Sequence, residues 1–314
     1  MRTSRPTTTV RVVAAFTLAA LALPGTPFAA AAANAAPSAA PACVVSLSPT
    51  ATETLFAIGA GAQVQAVDSD SNYPTHGLPA KRVNALNPSV ESVVGICSAK
   101  GGASTKPDLV VISYDANSIK EKLTALGVKV IEQFAPTSLA GALAQIRQLG
   151  AITGHVASAD RLAATLSRTI SADVRSVPTH PDKRLTVYYE LQPSPYYSLT
   201  SSTFVGSLMK SLGVVNIADG QSTVADPGYP QLGAEYIIAA KPKLIFLADT
   251  ICCKATPASV AKRPGFAQLA AVRDHHVVGL DDDVASRWGP RLGTLMNQIT
   301  AAVRAALADP RLWK

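Results

Sequence analysis

A long helical pattern lies in the middle of the chain, between two halves with a similar layout. Residues 138–177 contain no proline, and leucine, isoleucine and alanine recur in them at helical spacing until Pro178 ends the pattern. A helix of this length with no strand inside it is unusual within an α/β domain. We therefore interpret the segment as one long connecting helix, in which Gly150 and Gly154 allow a bend. The two lobes that it joins are predicted to cover residues 43–137 and 178–314.

Both halves alternate short apolar runs with helical patterns. Val44–Leu47 in the first half and residues 185–189 in the second are typical of buried parallel strands. In the first half a helix then begins with Pro49, where Thr50 and Glu53 have the spacing of a capping box. The expected fold class is α/β, with two similar α/β lobes joined by the long helix. Ligands bind at the carboxyl ends of such strands, so we expect a ligand cleft between the lobes.

The first residues are typical of a secretory signal peptide, which we assign to residues 1–35. Three arginines precede an uncharged apolar stretch, and Ala33-Asn34-Ala35 fits the small-residue pattern before a cleavage site. A membrane anchor is the alternative, but the apolar stretch is short and is interrupted by proline and glycine. Residues 36–42 are interpreted as a short lead-in. The mature chain is therefore expected outside the cytoplasm, in the periplasm or at the cell surface.

Charge and motifs exclude several classes of function. The formal net charge is +7, without a basic stripe, which does not indicate nucleic-acid binding. The sequence has no G-x-S-x-G, no H-E-x-x-H and no P-loop, so we do not expect an enzyme, although isolated serine, histidine and aspartate residues are present. It also has no C-x-x-C, and the adjacent His275 and His276 would point to opposite faces of a strand, so no metal site is expected.

Four cysteines are expected to be oxidised in an exported protein. Cys43 begins the first strand and Cys97 lies near the end of a helix, so both could lie at the amino edge of the first sheet. A Cys43–Cys97 disulfide is the preferred pairing, which leaves Cys252 and Cys253 as a vicinal disulfide or a pair of thiols. The alternative joins Cys97 to Cys252 or Cys253 and would restrict movement between the lobes. The sequence does not decide among these pairings.

Five runs of residues together resemble a known family. They are residues 45–55 (VSLSPTATETL), 71–74 (SNYP), 106–110 (KPDLV), 229–235 (YPQLGAE) and 287–291 (RWGPR). In this order they resemble the periplasmic-type binding proteins of the helical-backbone class, which serve ABC importers for cobalamin, haem and ferric siderophores. The resemblance is closest to the cobalamin-binding branch and covers about residues 43–308.

The resemblance implies a function without chemistry on the ligand. It implies a monomer with two lobes and little hinge motion, which binds a corrinoid and delivers it to the membrane permease of an ABC importer. Haem or a ferric siderophore is the alternative ligand, and a scavenging or sensing module without a transporter is the alternative role. No cofactor is expected besides the transported ligand.

The resemblance also implies which residues contact the ligand. Tyr73, Tyr114 and Tyr229 match aromatic positions of the family, and their rings could stack on a flat corrin ring. Tyr196 and Tyr197 lie in the first loop of the second lobe, where one is expected to face the cleft and the other to cover the strand edge.

Four further residues are candidates for the cleft. Arg287 could donate to propionamide carbonyls or to the phosphate of the ligand. Trp288 either faces the cleft or packs against the C-terminal helix. Ser48 and Thr50 lie at a helix start, whose free N–H groups can bind an anion or a carbonyl group, although they could equally be simple helix caps.

Glu91 and Glu235 occupy equivalent positions in the two halves. Each begins a helix and is followed by a Lys-Pro pair and a strand. In the family one surface glutamate of each lobe docks onto arginines of the permease, and these two residues match those positions. Stabilisation of a helix start by a negative charge is the other explanation.

Overall fold

The structure is a computed structural model, and it describes residues 39–97, 105–179 and 182–314. The predicted signal peptide, residues 1–35, lies outside the described residues, as do residues 36–38 of the predicted lead-in. Ala40–Lys314 form one compact unit.

A five-stranded parallel sheet organises the first lobe, which we define as the elements from β1 to β5. The strand order is β3-β2-β1-β4-β5. All residues of β1 and β4 are buried, as expected for inner strands covered by helices on both faces. The strands are β1 Val44–Leu47, β2 Val64–Asp68, β3 Arg82–Val83, β4 Leu109–Ile112 and β5 Lys129–Glu132. The α-helices are α1 Pro49–Ala57, α2 Val90–Val94 and α3 Ile119–Ala125, and short 3-10 turns cover Gly61–Gln63 and Ala116–Ser118.

Two packed helices form the connector, α4 (Leu139–Thr153) and α5 (Val156–Ser176). The predicted connector is helical, but it consists of two helices and not one. The first helix ends at Gly154, which has a φ of 79°. The Nε of Arg147 lies 3.1 Å from Oδ1 of Asp160, whereas thirteen residues of one continuous helix would separate them by about 20 Å. The two helices therefore fold back on each other, because the left-handed conformation at Gly154 ends α4.

A four-stranded parallel sheet and a small antiparallel sheet organise the second lobe, which runs from β6 to the C-terminus. The parallel strands are β6 Thr186–Glu190, β9 Val215–Asn216, β11 Leu244–Leu247 and β12 Val277–Gly279. The antiparallel strands are β7 Gln192–Pro193, β8 Tyr196–Tyr197 and β10 Gln231–Leu232. The α-helices are α6 Phe204–Ser211, α7 Ala234–Ala240, α8 Pro257–Ala261, α9 Ala270–Arg273, α10 Asp282–Ala285 and α11 Leu292–Ala308. Phe266–Gln268 and Pro310–Trp313 are 3-10 turns.

The two parallel sheets repeat one topology. The second sheet has the order β12-β11-β6-β9, and read from β9 it matches β2-β1-β4-β5 of the first sheet. In each lobe the first strand in the sequence is an inner strand of the sheet, and later strands lie on both sides of it. This repeat confirms the predicted architecture of two similar α/β lobes joined by a helical connector.

One apolar core runs through both lobes. Its largest cluster of buried side chains includes Leu55 of α1, Leu149 of α4, Ile170 of α5 and Leu295 of α11. Because α4 packs on α1 and α5 packs on α11, the connector contributes to the core of each lobe. The relative position of the two lobes is therefore fixed by buried apolar surface as well as by the covalent connection.

Candidate functional site

Apolar side chains are exposed where the strands of the first lobe end. Tyr73 follows β2 and is 40% exposed, and Tyr114 follows β4 and is 67% exposed. Two further exposed residues, Leu86 after β3 and Phe134 after β5, were not predicted from the sequence. The signal that could have identified them is an apolar residue a few positions beyond a strand. Together they place four large apolar side chains at the carboxyl edge of one sheet.

The aromatic residues of the second lobe lie on or beside its small antiparallel sheet, whose first strand, β7, follows the carboxyl end of β6. Tyr229 lies two residues before β10 and is 44% exposed, and its partial burial raises the pKa of its hydroxyl. The Tyr196 ring stacks on Phe266 at 5.6 Å and lies 5.4 Å from the guanidinium of Arg263. Tyr196 thus packs against its own lobe, which leaves Tyr197 as the better candidate to face the cleft. Ile251, after β11, is also exposed.

A buried carboxylate in the first lobe binds two arginines of the second lobe. Glu53 has no exposed side-chain surface. Its Oε1 accepts from Nη1 of Arg287 at 2.8 Å and from Nη2 of Arg291 at 2.6 Å, and its Oε2 accepts from Nε of Arg291 at 3.0 Å. Burial alone would lower the pKa of Arg291, but its hydrogen bonds to Glu53 raise that pKa. The capping box predicted for Thr50 and Glu53 is therefore wrong, because Glu53 is committed to the arginines.

Arg287 also ties together the loops of the two lobes. Its Nη1 donates to Oδ1 of Asn72 at 2.8 Å, and its Nη2 donates to the carbonyl of Asp70 at 3.0 Å and to Oδ1 of Asp283 at 2.6 Å. Asn72 in turn donates to Oδ2 of Asp283 at 2.6 Å. The terminal nitrogens of Arg287 are therefore occupied by protein acceptors. Arg287 therefore forms a contact between the lobes, and its predicted hydrogen bond to a ligand stays a prediction.

The remaining candidates near the start of α1 are engaged with the protein. Ser48 and Thr50 are buried, and the Ser48 hydroxyl accepts from the backbone N–H of Ala51 at 3.2 Å, so Ser48 caps α1. Trp288 is half-buried, and its Nε1 donates to Oε1 of Gln145 on α4 at 2.7 Å. Ligand contact by these three residues stays a prediction, while their contacts here hold α1, α4 and the loop after β12 together.

The cysteines have the preferred arrangement. Cys43 and Cys97 form a disulfide with their Cα atoms 6.2 Å apart, which confirms the first pairing and excludes a bridge from Cys97 to the second lobe. Cys252 and Cys253 are exposed thiols. Burial, the neighbouring Cys253 thiol and Asp282 raise the pKa of Cys252 to about 12. The same carboxylate accepts from the backbone N–H of Cys252 at 2.8 Å and so fixes the turn after β11.

A buried acidic pair lies behind that turn. Arg263 donates to both carboxylate oxygens of Glu190, at 2.5 and 2.7 Å, and the Tyr188 hydroxyl donates to Glu190 Oε2 at 3.2 Å. Asp249 is fully buried, and neither of its carboxylate oxygens has a hydrogen-bond partner in the structure. Burial, with a smaller contribution from the negative charge of Glu190, raises the pKa of Asp249 to about 7. The protonated form of Asp249 is thus favoured in the folded protein.

The two glutamates predicted to dock onto a permease are both exposed. Glu91 lies in the first turn of α2 and Glu235 in the first turn of α7. These helices lead into β4 and β11, which hold equivalent places in the two sheets. Hydrogen bonds at the helix start, including one from Ser89, hold the pKa of Glu91 below its usual value. The positions agree with the predicted pseudo-symmetry.

Within residues 39–97, 105–179 and 182–314 there is no group of three or more histidine, cysteine or acidic side chains placed to hold a metal ion. In the same part of the chain, no helix combines the length and the apolar character that a membrane span requires.

Solved structures with similar coordinates are two-lobed binding proteins. The periplasmic vitamin B12-binding protein BtuF of Vibrio cholerae superposes with a TM-score of 0.69 at 22% identity, over 86% of this chain and 99% of that one. The periplasmic haem-binding protein RhuT of Roseiflexus sp. RS-1 superposes with a TM-score of 0.67 at 25% identity, over 84% and 98% of the two chains. These similarities support the fold.

Sequence comparison leads to the same group of proteins. An uncharacterised ABC transporter substrate-binding lipoprotein of Bacillus subtilis, YvrC, is 29% identical over 79% of this chain and 76% of its own length. A vitamin B12-binding protein of Vibrio cholerae is 24% identical over 84% of this chain and 89% of its own length. The family model described as periplasmic binding protein matches residues 44–284. With two lobes of matching topology, and with most of its length matched, this chain belongs to the periplasmic binding protein family.

Proposed function

We propose that this protein is the extracytoplasmic substrate-binding protein of an ABC importer and that its substrate is a corrinoid. The observation that carries the proposal is the set of exposed aromatic rings that follow parallel strands in the first lobe and lie beside the small antiparallel sheet in the second. Tyr73 and Tyr114 in the first lobe and Tyr229 in the second are 40%, 67% and 44% exposed. Large aromatic side chains left open to solvent on both sides of a site suit a large flat ligand.

The charge of the site favours a corrinoid over the alternatives. Arg287 and Arg291 are both bound to Glu53, so neither offers a free cation to an anionic ligand. The side chains around a corrin ring are mostly neutral amides, whereas haem carries two carboxylates and many ferric siderophores carry several. A neutral amide can be bound by tyrosine hydroxyls and backbone groups without a free arginine. The similarity to vitamin B12-binding relatives supports the same choice.

Haem is the second candidate, for a specific reason. A tyrosine hydroxyl can ligate haem iron, and three exposed tyrosines lie at the candidate site. The similarity to haem-binding structures supports retaining this alternative. The two ligands are distinguished by binding, because only haem would acquire a tyrosinate-to-iron absorption band.

The test is calorimetric titration of residues 36–314, which include the whole compact unit, with cyanocobalamin and with haemin. We expect saturable one-to-one binding of cyanocobalamin. Tyr73→Ala and Tyr114→Ala should each weaken it about tenfold, since loss of a stacking ring removes about 1–1.5 kcal/mol. Leu126→Ala, which removes an exposed apolar side chain at the opposite, amino edge of the first sheet, is the matched control. Tight haemin binding without cyanocobalamin binding would transfer the proposal to haem.

Delivery to a permease is tested separately from binding. A Glu91→Ala/Glu235→Ala variant should bind ligand as the wild type does but should fail to support uptake by cells that carry the cognate importer. Glu121→Ala is the matched control, because Glu121 is also an exposed acid in the first turn of a helix, α3. Normal uptake by the double variant would exclude docking through these two residues and would favour a scavenging or sensing role.

A further inference from the structure

We propose that Arg291 is a positioning residue for ligand binding: held by Glu53, it supports one face of the Tyr73 ring and so presents the other face to the ligand. The inference about ligand affinity rests on the proposed function. The inference about the Tyr73 ring does not, because the contact is made entirely by residues of the protein.

Glu53, Arg291 and Tyr73 are in contact in that order, and the contacts cross from one lobe to the other. The guanidinium carbon of Arg291, in the second lobe, lies 4.6 Å from the centroid of the Tyr73 ring in the first lobe. Arg291 is itself fixed by two hydrogen bonds to Glu53, of 3.0 and 2.6 Å. Tyr73 nevertheless remains 40% exposed. One face of its ring therefore contacts a fixed cation, and surface of the same side chain is still available to a ligand.

The chemistry of this contact requires an arginine. A guanidinium is planar and can stack on a tyrosine ring while it donates to a carboxylate in its own plane. The bidentate contact with Glu53 uses the edge of the guanidinium and leaves its flat face for Tyr73. A lysine ammonium would keep the charge near Glu53 but would offer no flat surface. The contact therefore requires the planar shape of arginine as well as its positive charge, and a substitution by lysine tests this requirement.

The consequence for binding is preorganisation of Tyr73. Tyr73 lies in the loop between β2 and β3, and without a neighbour its ring would have to be ordered when the ligand binds. Immobilising one side chain in advance removes an ordering penalty, which corresponds to about a three- to tenfold gain in affinity. Since Arg291 belongs to the second lobe, the position of an aromatic contact in the first lobe is set by the second.

A double-mutant cycle with cyanocobalamin separates positioning from a general structural effect. We expect Arg291→Met to weaken binding about three- to tenfold in the wild type and to have no further effect in Tyr73→Ala. Arg291→Lys should behave like Arg291→Met. Asp309→Asn is the matched control, since it breaks an ion cluster with His276 and Arg311 remote from Tyr73. Equal weakening by Arg291→Met in both backgrounds, or binding by Arg291→Lys like that of the wild type, would overturn the proposal.

A second measurement requires no ligand. Fluorine NMR of the protein labelled with 3-fluorotyrosine gives a Tyr73 signal that is assigned by its loss in Tyr73→Phe. We expect Arg291→Lys and Arg291→Met to shift this signal and Asp309→Asn to leave it unchanged. An unchanged signal in both Arg291 variants would refute the positioning role whatever the ligand. If the wild type did not bind cyanocobalamin, the proposed function would fail, and the fluorine signal would still decide the role of Arg291.

Discussion

The buried carboxyl of Asp249 predicts how the stability of this protein changes with pH. The residue is fully buried, its oxygens have no hydrogen-bond partner in the structure, and burial together with Glu190 raises its pKa to about 7 from an ordinary value of 3.8. Arg263 acts in the opposite direction but is committed to Glu190, and Asp282 adds a further negative charge. A protonated Asp249 is therefore favoured in the folded state.

The sign follows from proton uptake. Below about pH 4 the carboxyl is protonated in both the folded and the unfolded state, so it does not affect stability. Between about pH 4 and pH 7 the unfolded chain releases the proton and the folded protein keeps it, so the free energy of unfolding falls as the pH rises. The loss is complete only above about pH 8, where the buried carboxylate is ionised. A shift of about 3 pKa units at about 1.4 kcal/mol each corresponds to a loss of about 4 kcal/mol across this range.

Urea denaturation at about pH 4.5 and about pH 8 measures the effect. Asp249→Asn removes the titration, so the variant should lose about 3 kcal/mol less stability than the wild type between these two values. The comparison uses only the change with pH, so a constant effect of the substitution cancels. Asp160→Asn, at an exposed carboxylate on α5, should retain the full wild-type pH dependence. An identical pH dependence in Asp249→Asn and the wild type would refute the reasoning.

Three further predictions concern packing and thiols. Gly206→Ala should destabilise the protein by about 3 kcal/mol in urea denaturation, because its Cβ would lie 1.9 Å from the carbonyl oxygen of Thr200; Gly95→Ala, whose Cβ would meet nothing closer than 3.9 Å, should change stability little. Leu149→Ala should cost about 2–5 kcal/mol by calorimetric unfolding, since Leu149 is in the shared core, whereas the exposed Leu86→Ala should cost under about 0.5. Thiol titration of the denatured, unreduced protein should detect Cys252 and Cys253 only, and detection of all four cysteines would contradict the Cys43–Cys97 disulfide.

The sequence predicted those parts of the fold that depend on local pattern. β1 and β4 are fully buried parallel strands, and their short continuous apolar runs are the pattern that such strands require. The two-lobed arrangement was predicted because both halves repeat the same series of strands and helices. The Cys43–Cys97 pairing followed from placing both residues at one edge of one sheet, which the structure confirms.

The sequence could not predict contacts between distant residues. Glu53 and Arg287 are separated by 234 positions, and the nearby Thr50 offered a plausible local partner for Glu53. Arg287 was predicted to donate to a ligand because no local pattern indicates that three of its four acceptors come from the other lobe. The reversal of the connector at Gly154 was not predicted, since a glycine within a helical pattern can bend the helix, continue it or end it. Only the close packing of α4 on α5 decides between the two.

The same contacts determine how the lobes can move. The largest core cluster includes side chains of both lobes and of the connector, so separating the lobes would expose apolar surface at about 25 cal/mol for each Å². The Glu53–Arg287–Arg291 cluster would gain water on opening, and for that reason it contributes less to resisting separation than the core does. Its contribution is specificity, because a carboxylate that accepts two hydrogen bonds from Arg291 and one from Arg287 is satisfied in only one relative placement of the lobes. The apolar core thus opposes opening and the ion cluster fixes the register, so we expect a ligand to enter a site whose two walls are already in place.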